Sequence, residues 1–245
     1  MSSGALLFGR YAFPPNRLGY CGPGEHEALF AYVSQQRADP GLVDLERRFD
    51  GAYPYLKLIA QANDVTEPLD RRVVEAYWIG NRYLDRVDGL ACAKLLDERA
   101  PALGSARGTS WLNGELAKRA RPHHLLTVFD IYMRAGMLRD ARAAVVLRPM
   151  DSCRISWGEV VAVEGEELVV ERPPLKLCGG KLEVGAPDRV RVSRQIDGRG
   201  FTEQVRPGDH VAVHWNWACD VLSAAALGRL VQETERAIAL VNDAL

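Results

Sequence analysis

The sequence predicts an α+β fold with an α-helical N-terminal domain over residues 1–148. A small antiparallel β-barrel with a C-terminal helix follows over 149–245. Three observations predict it. Apolar residues recur at helical spacing up to about residue 145. After Arg148-Pro149 the pattern changes to short alternating runs separated by tight turns. A single amphipathic stripe then closes the chain.

Residues 1–23 carry Tyr11-Ala12-Phe13-Pro14-Pro15-Asn16 and Leu18-Gly19-Tyr20-Cys21-Gly22-Pro23. Their prolines and glycines exclude a regular helix on local grounds, while the aromatics predict a segment packed onto the body. Helical patterning starts near Glu25. Asp39-Pro40-Gly41 marks a turn, and Leu42, Leu45 and Phe49 place the next helix. After the break at Asp50-Gly51, Pro54 is tolerated because a first-turn residue has no amide partner to lose. Pro68 does the same for a helix bearing Leu69, Val73, Ala76, Tyr77 and Gly80 on one face. Further helices are expected near 89–100, 109–120 and 122–134.

Beyond Pro149, residues 159–163 and 167–171 read as strands joined by Glu164-Gly165-Glu166, and 189–194 alternate cleanly. Arg206-Pro207-Gly208-Asp209 is a turn signal before a closing strand from His210 to Trp215. Several short strands in so few residues suggest a closed barrel. Ser223 can cap the last helix, where Leu227, Leu230, Val231, Thr234, Ile238 and Val241 share one side.

With 245 residues, 47% hydrophobic and 26% charged, the composition is that of a water-soluble globular chain. A net charge of −1 offers no bulk reason to expect nucleic acid or an anionic membrane as partner. No apolar run reaches a membrane span of roughly 20 residues, and the N-terminus lacks the marks of a signal peptide, so the expected compartment is the cytoplasm. The five cysteines are odd in number and form no CxxC pair, which fits free thiols. Dinucleotide, P-loop, nucleophile-elbow and HExxH signatures are absent.

Two stretches carry the chemistry. Asp151-Ser152-Cys153-Arg154-Ile155-Ser156-Trp157-Gly158-Glu159-Val160 opens the alternating region, and Pro207-Gly208-Asp209-His210-Val211-Ala212-Val213-His214 ends it on a histidine. With the helix that follows, they resemble the HypC/HupF family of [NiFe]-hydrogenase maturation chaperones over roughly residues 151–242. The chain as a whole resembles an actinobacterial family of unknown function. The HypC/HupF resemblance implies an OB-like barrel, Cys153 as the family's essential cysteine and His214 as its signature histidine. It also implies a transient iron cargo, as a cyanide/carbonyl fragment, and as partners a HypD-like maturation protein and the hydrogenase large-subunit precursor. This sequence departs from the family in placing its cysteine deep within the chain, and in having Trp157 where a proline is usual.

Thiolate suits low-spin iron, and imidazole can be a second ligand or can orient the thiol. Cys153 and His214 are therefore the expected metal site, with Cys21 and Cys219 as additional candidates. The competing reading is a buried cysteine and a satisfied histidine at a strand end. Cys21, in a loop bracketed by glycine and proline, has a geometry suited to an exposed sulfur. Cys178 reads as a turn residue, and His123-His124 as a helix cap rather than ligands. The expected function is an accessory chaperone in [NiFe]-hydrogenase maturation, not an enzyme. The alternatives are a thiol- or iron-dependent enzyme with its site between the domains, or a metal-free interaction module.

Overall fold

A computed structural model describes residues 3–99, 110–139 and 142–245. Residues 100 and 109, at the edges of two expected helices, lie outside the described residues, as do Met1 and Ser2 of the N-terminal reading. The described chain is mixed α+β, with helices first, strands after them and a helix last.

The first helix, α1 (Ser3–Arg17), corrects the expectation of an irregular start. Pro14 and Pro15 sit in its last turn, where proline's fixed φ still fits the helix and the cost is a lost amide donor. Burial outweighs that cost, for every residue from Gly4 to Asn16 is buried except Leu6 and Arg10. Such near-complete burial needs small residues where neighbours come close. A Cβ at Gly4 would lie 2.0 Å from the Leu69 carbonyl oxygen, and one at Gly9 would lie 2.4 Å from a Val33 methyl.

Around α1 pack α2 (His26–Ser34), α3 (Pro40–Arg47) and α5 (Arg71–Trp78), while α4 (Tyr53–Ala62) packs against α5. Asp39 caps α3 by accepting from the amides of Gly41 and Leu42. Asp70, not Pro68, starts α5, accepting from the Arg72 amide. Then come α6 (Gly89–Arg99), α7 (Gly114–Lys118) and α8 (His124–Arg134).

The helix α9 (Ala143–Cys153) runs through Pro149, where the strand region was expected to begin. Cys153 thus ends a helix rather than immediately preceding a strand. The Asp151 carboxylate holds this helix end, accepting from Arg154 Nε at 2.8 Å, Arg172 Nη1 at 2.8 Å and the Leu175 amide at 2.9 Å.

The strands are β1 (Ser156–Glu164), β2 (Glu167–Arg172), β3 (Leu175–Cys178), β4 (Lys181–Val184), β5 (Asp188–Ser193), β6 (Gln195–Ile196), β7 (Arg199–Gly200), β8 (His210–His214) and β9 (Trp217–Leu222). Five of them pair in the order β1-β2-β5-β9-β8, and β8 returns to β1. One contact departs from the antiparallel expectation: β5 meets β9 in parallel, through Ser193 and Trp217. Val160, Leu168, Val170, Val192, Val211 and Val213 belong to the core this sheet encloses.

Strand β9 also follows the expected closing strand. The two-residue turn Trp215-Asn216 links it to β8, with φ of +46° and +60°. Such left-handed pairs match strand twist in hairpins, but they normally use Asn-Gly or Asp-Gly. The final helix α10 (Ala224–Asn242) is capped by Ser223, whose hydroxyl accepts from the Ala226 amide at 3.2 Å.

The larger core draws on both halves of the sequence, including Phe8, Tyr11 and Phe13 of α1, Trp217 and Cys219 of β9, and Leu230 and Ile238 of α10. Arg10 of α1 also pairs with Asp220 of β9 at 2.9 Å. Helices and sheet are therefore packed against each other where α1 meets β8 and β9.

Candidate metal centre

Three elements meet at that junction: the start of α8, the end of α9 and the end of β8. They bring His124, Cys153 and His214 together, with one donor atom of each within 4.8 Å of the others. Two of these residues were expected from the sequence. His124 was not, because the His123-His124 pair reads locally as a cap. His123 does cap α8, its Nδ1 accepting from the Leu125 amide at 3.2 Å. His124, one residue later, turns the other way into the cluster.

The hydrogen bonds of each histidine settle its proton. His214 Nδ1 lies 2.7 Å from the carbonyl oxygen of Tyr11. A carbonyl only accepts, so Nδ1 carries the hydrogen and Nε2 the lone pair. That Nε2 is buried and has no hydrogen-bond partner. His124 Nε2 lies 2.9 Å from the Cys153 carbonyl, which leaves its Nδ1 as the acceptor, facing the Tyr77 hydroxyl at 3.3 Å. Imidazoles whose other nitrogen is anchored to a carbonyl are arranged as metal ligands commonly are.

The Tyr11 carbonyl is free for this role because of the chain itself. In a regular helix it would accept from the amide at position 15, but Pro15 has no amide hydrogen. Proline in the last turn of α1 thus releases the acceptor that orients His214.

Burial makes the centre electrically neutral without a cation. It pulls His124 down to about 3, with the Cys153 carbonyl opposing and His123 adding to the fall. It pulls His214 down to about 3 as well, with His124 adding and the Tyr11 carbonyl opposing. It pushes the Cys153 thiol up to about 12, with the Cys21 thiol adding to the rise and the Trp215 indole opposing it. Two neutral imidazoles and one thiol in an apolar setting will ionise at sulfur only if a cation arrives to pair with the charge.

A cavity of about 140 Å³ adjoins the cluster. His124, Cys153 and His214 all line it, together with Cys21, Tyr77 and Trp78. Tyr20 and Trp215 pack at its edge with ring centroids 4.5 Å apart and planes tilted by 31°. Trp215 holds its left-handed backbone there with a hydrogen bond of 2.8 Å from its amide to the Ser152 carbonyl. For a bulky residue that conformation is costly, and such strain gathers where surrounding structure enforces it.

The remaining cysteines separate. Cys219 is the unpaired residue of a bulge in β9 opposite Ala212 and Val213, which sends it into the main core, where its sulfur donates to the Trp217 carbonyl at 3.5 Å. It is not part of the donor cluster. Cys92 is buried in α6, and Cys178 is exposed at the β3–β4 turn.

The chain belongs to a family of unknown function, DUF6390, whose model matches residues 1–245. No curated protein and no solved structure matches it. The HypC/HupF likeness is therefore one of motifs alone.

Proposed function

We propose that this protein is a metal-handling accessory protein that holds an iron cargo between Cys153, His214 and His124. One observation carries the reading. The cysteine and histidine that the HypC/HupF motifs single out, far apart in sequence, share a ligand sphere, and a buried imidazole Nε2 there lacks any other partner. The closed strand order and the C-terminal helix are in keeping with an OB-like barrel of that type.

On this reading the protein serves [NiFe]-hydrogenase maturation, receiving iron from a HypD-like protein and passing it to the large-subunit precursor. Thiolate and imidazole suit iron that carries strong-field diatomic ligands. The adjoining cavity of about 140 Å³ gives room for such ligands, in apolar surroundings that offer them little water. His124 comes from the helical region, so the N-terminal half completes the centre instead of merely flanking it.

The test is anaerobic purification, followed by iron analysis and infrared spectroscopy of bound cyanide and carbonyl. Wild type should retain iron, Cys153→Ala should lose it with hydrogenase maturation, and Cys178→Ala should behave as wild type. Equal maturation by all three would overturn the reading. A second reading, a thiol- or iron-dependent enzyme, is favoured by the enclosure of Cys21 and Cys153 in one cavity with Tyr77 and two neutral imidazoles. Turnover of a small molecule by iron-free protein would select it.

A further inference from the structure

We infer that Cys21 is an exchangeable fourth ligand, which converts the His124–Cys153–His214 trio into a closed four-coordinate Cys2His2 site for a divalent cation. The inference rests on the metal-handling part of that reading and concerns a bare divalent cation, one without cyanide or carbonyl ligands, to which it adds a mode of retention and release.

Cys21 lines the same cavity as the three cluster residues. Its sulfur stands beside Gly51, where a Cβ would approach it to 3.5 Å. It lies outside the tight donor group. The loop that carries it is held by its backbone. Buried Asn16 donates from Nδ2 to the Cys21 carbonyl at 2.8 Å and to the Pro23 carbonyl at 2.5 Å. Gly22 has φ of +82°, and a Cβ there would meet the Phe49 ring at 2.2 Å. With the backbone pinned, the side chain keeps one free torsion with three staggered positions, so the sulfur can move without refolding the loop.

Charge supplies the reason for a second thiolate. A divalent cation held by two neutral imidazoles and one thiolate leaves a net charge of +1 in an apolar cavity, where uncompensated charge is costly. Ligation by Cys21 brings the total to zero. Each thiol gives up its proton to water and forms one sulfur–metal bond in place of a water leaving the hydrated cation, and no electrons are transferred. Four sulfur and nitrogen donors also match the tetrahedral preference of such cations. Return of the Cys21 sulfur to Gly51 then reopens a coordination position through which cargo can leave.

Cobalt(II) is the probe, added to the full chain without oxygen, with thiolate-to-cobalt charge-transfer absorption as the readout. Wild type should show the intensity of two thiolates, and Cys21→Ser and Cys153→Ser should each show half of it. Cys178→Ser should match wild type. Zinc should protect both Cys21 and Cys153 of unmutated protein from alkylation while Cys178 still reacts, a result independent of how any variant folds. Wild-type absorption worth one thiolate, unchanged in Cys21→Ser, would overturn the inference and leave the three-ligand centre standing. Failure of wild type to bind cobalt or zinc at all would overturn both.

Discussion

The Nδ1–H of His214 donates to the carbonyl oxygen of Tyr11 across 2.7 Å, joining the end of a strand to the middle of a helix over most of the length of the chain. Pro15 makes this bond available by withholding the amide that would otherwise claim the carbonyl. The Pro14-Pro15 pair, which reads as a helix breaker, therefore orients a candidate ligand.

Pro15→Ala should accordingly separate stability from metal binding. Removing a helical proline gains up to about 3 kcal/mol, whereas loss of an outer partner to a ligating histidine typically weakens metal about 10- to 100-fold. Thermal melting and competitive metal titration check the two effects. If binding is unchanged in a stabilised variant, the Tyr11 carbonyl does not control His214.

The adjacent histidines of α8 should behave differently. His123→Ala removes a cap and should cost about 1 kcal/mol with metal content intact. His124→Ala should reduce metal retention more than any outer-partner change does. Equal metal content in the two variants would remove His124 from the centre.

Trp215 closes the cavity edge in a left-handed conformation that glycine adopts freely. Trp215→Gly should recover about 1–3 kcal/mol of backbone strain while losing the ring packing on Tyr20, worth about 0.5–1.5 kcal/mol beyond area burial. Losing the apolar area that the half-buried indole covers adds to that cost, so the variant should not be stabilised overall, and Cys153 should alkylate faster. Unaltered labelling would mean that another route reaches the thiol.

Glu46 sets a pH dependence far from the centre. Fully buried, it has a pKa that burial raises well above 4.5, against the opposing pull of the Gly9 amide. Its folded value exceeds its unfolded one, so its contribution is fully present below about pH 4.5 and is lost as pH rises toward the folded pKa. The slope is about 1.4 kcal/mol per pH unit. Glu46→Gln should flatten this loss and stabilise the protein at pH 8 relative to wild type. Denaturant midpoints at pH 5 and pH 8 measure the difference, and parallel curves would contradict it.

Local pattern by itself determined the order of helices before strands, the Ser223 cap, and the amphipathic C-terminal helix. Each depends on the spacing of neighbouring residues, which a short window contains. The motifs around Cys153 and His214 singled out two of the three cluster residues for the same reason. What only the tertiary structure decided depends on contacts distant in sequence. α1 survives two prolines because burial on nearly every side offsets a local cost. Trp215-Asn216 turns the chain without glycine because Tyr20 and the Ser152 carbonyl hold it there. Cys219 and His124 part ways, since a bulge sends one into the core while the packing of α8 against α9 turns the other toward Cys153. No periodicity encodes those meetings, because their donors come from three separate elements and their partners are backbone carbonyls, which every residue carries alike.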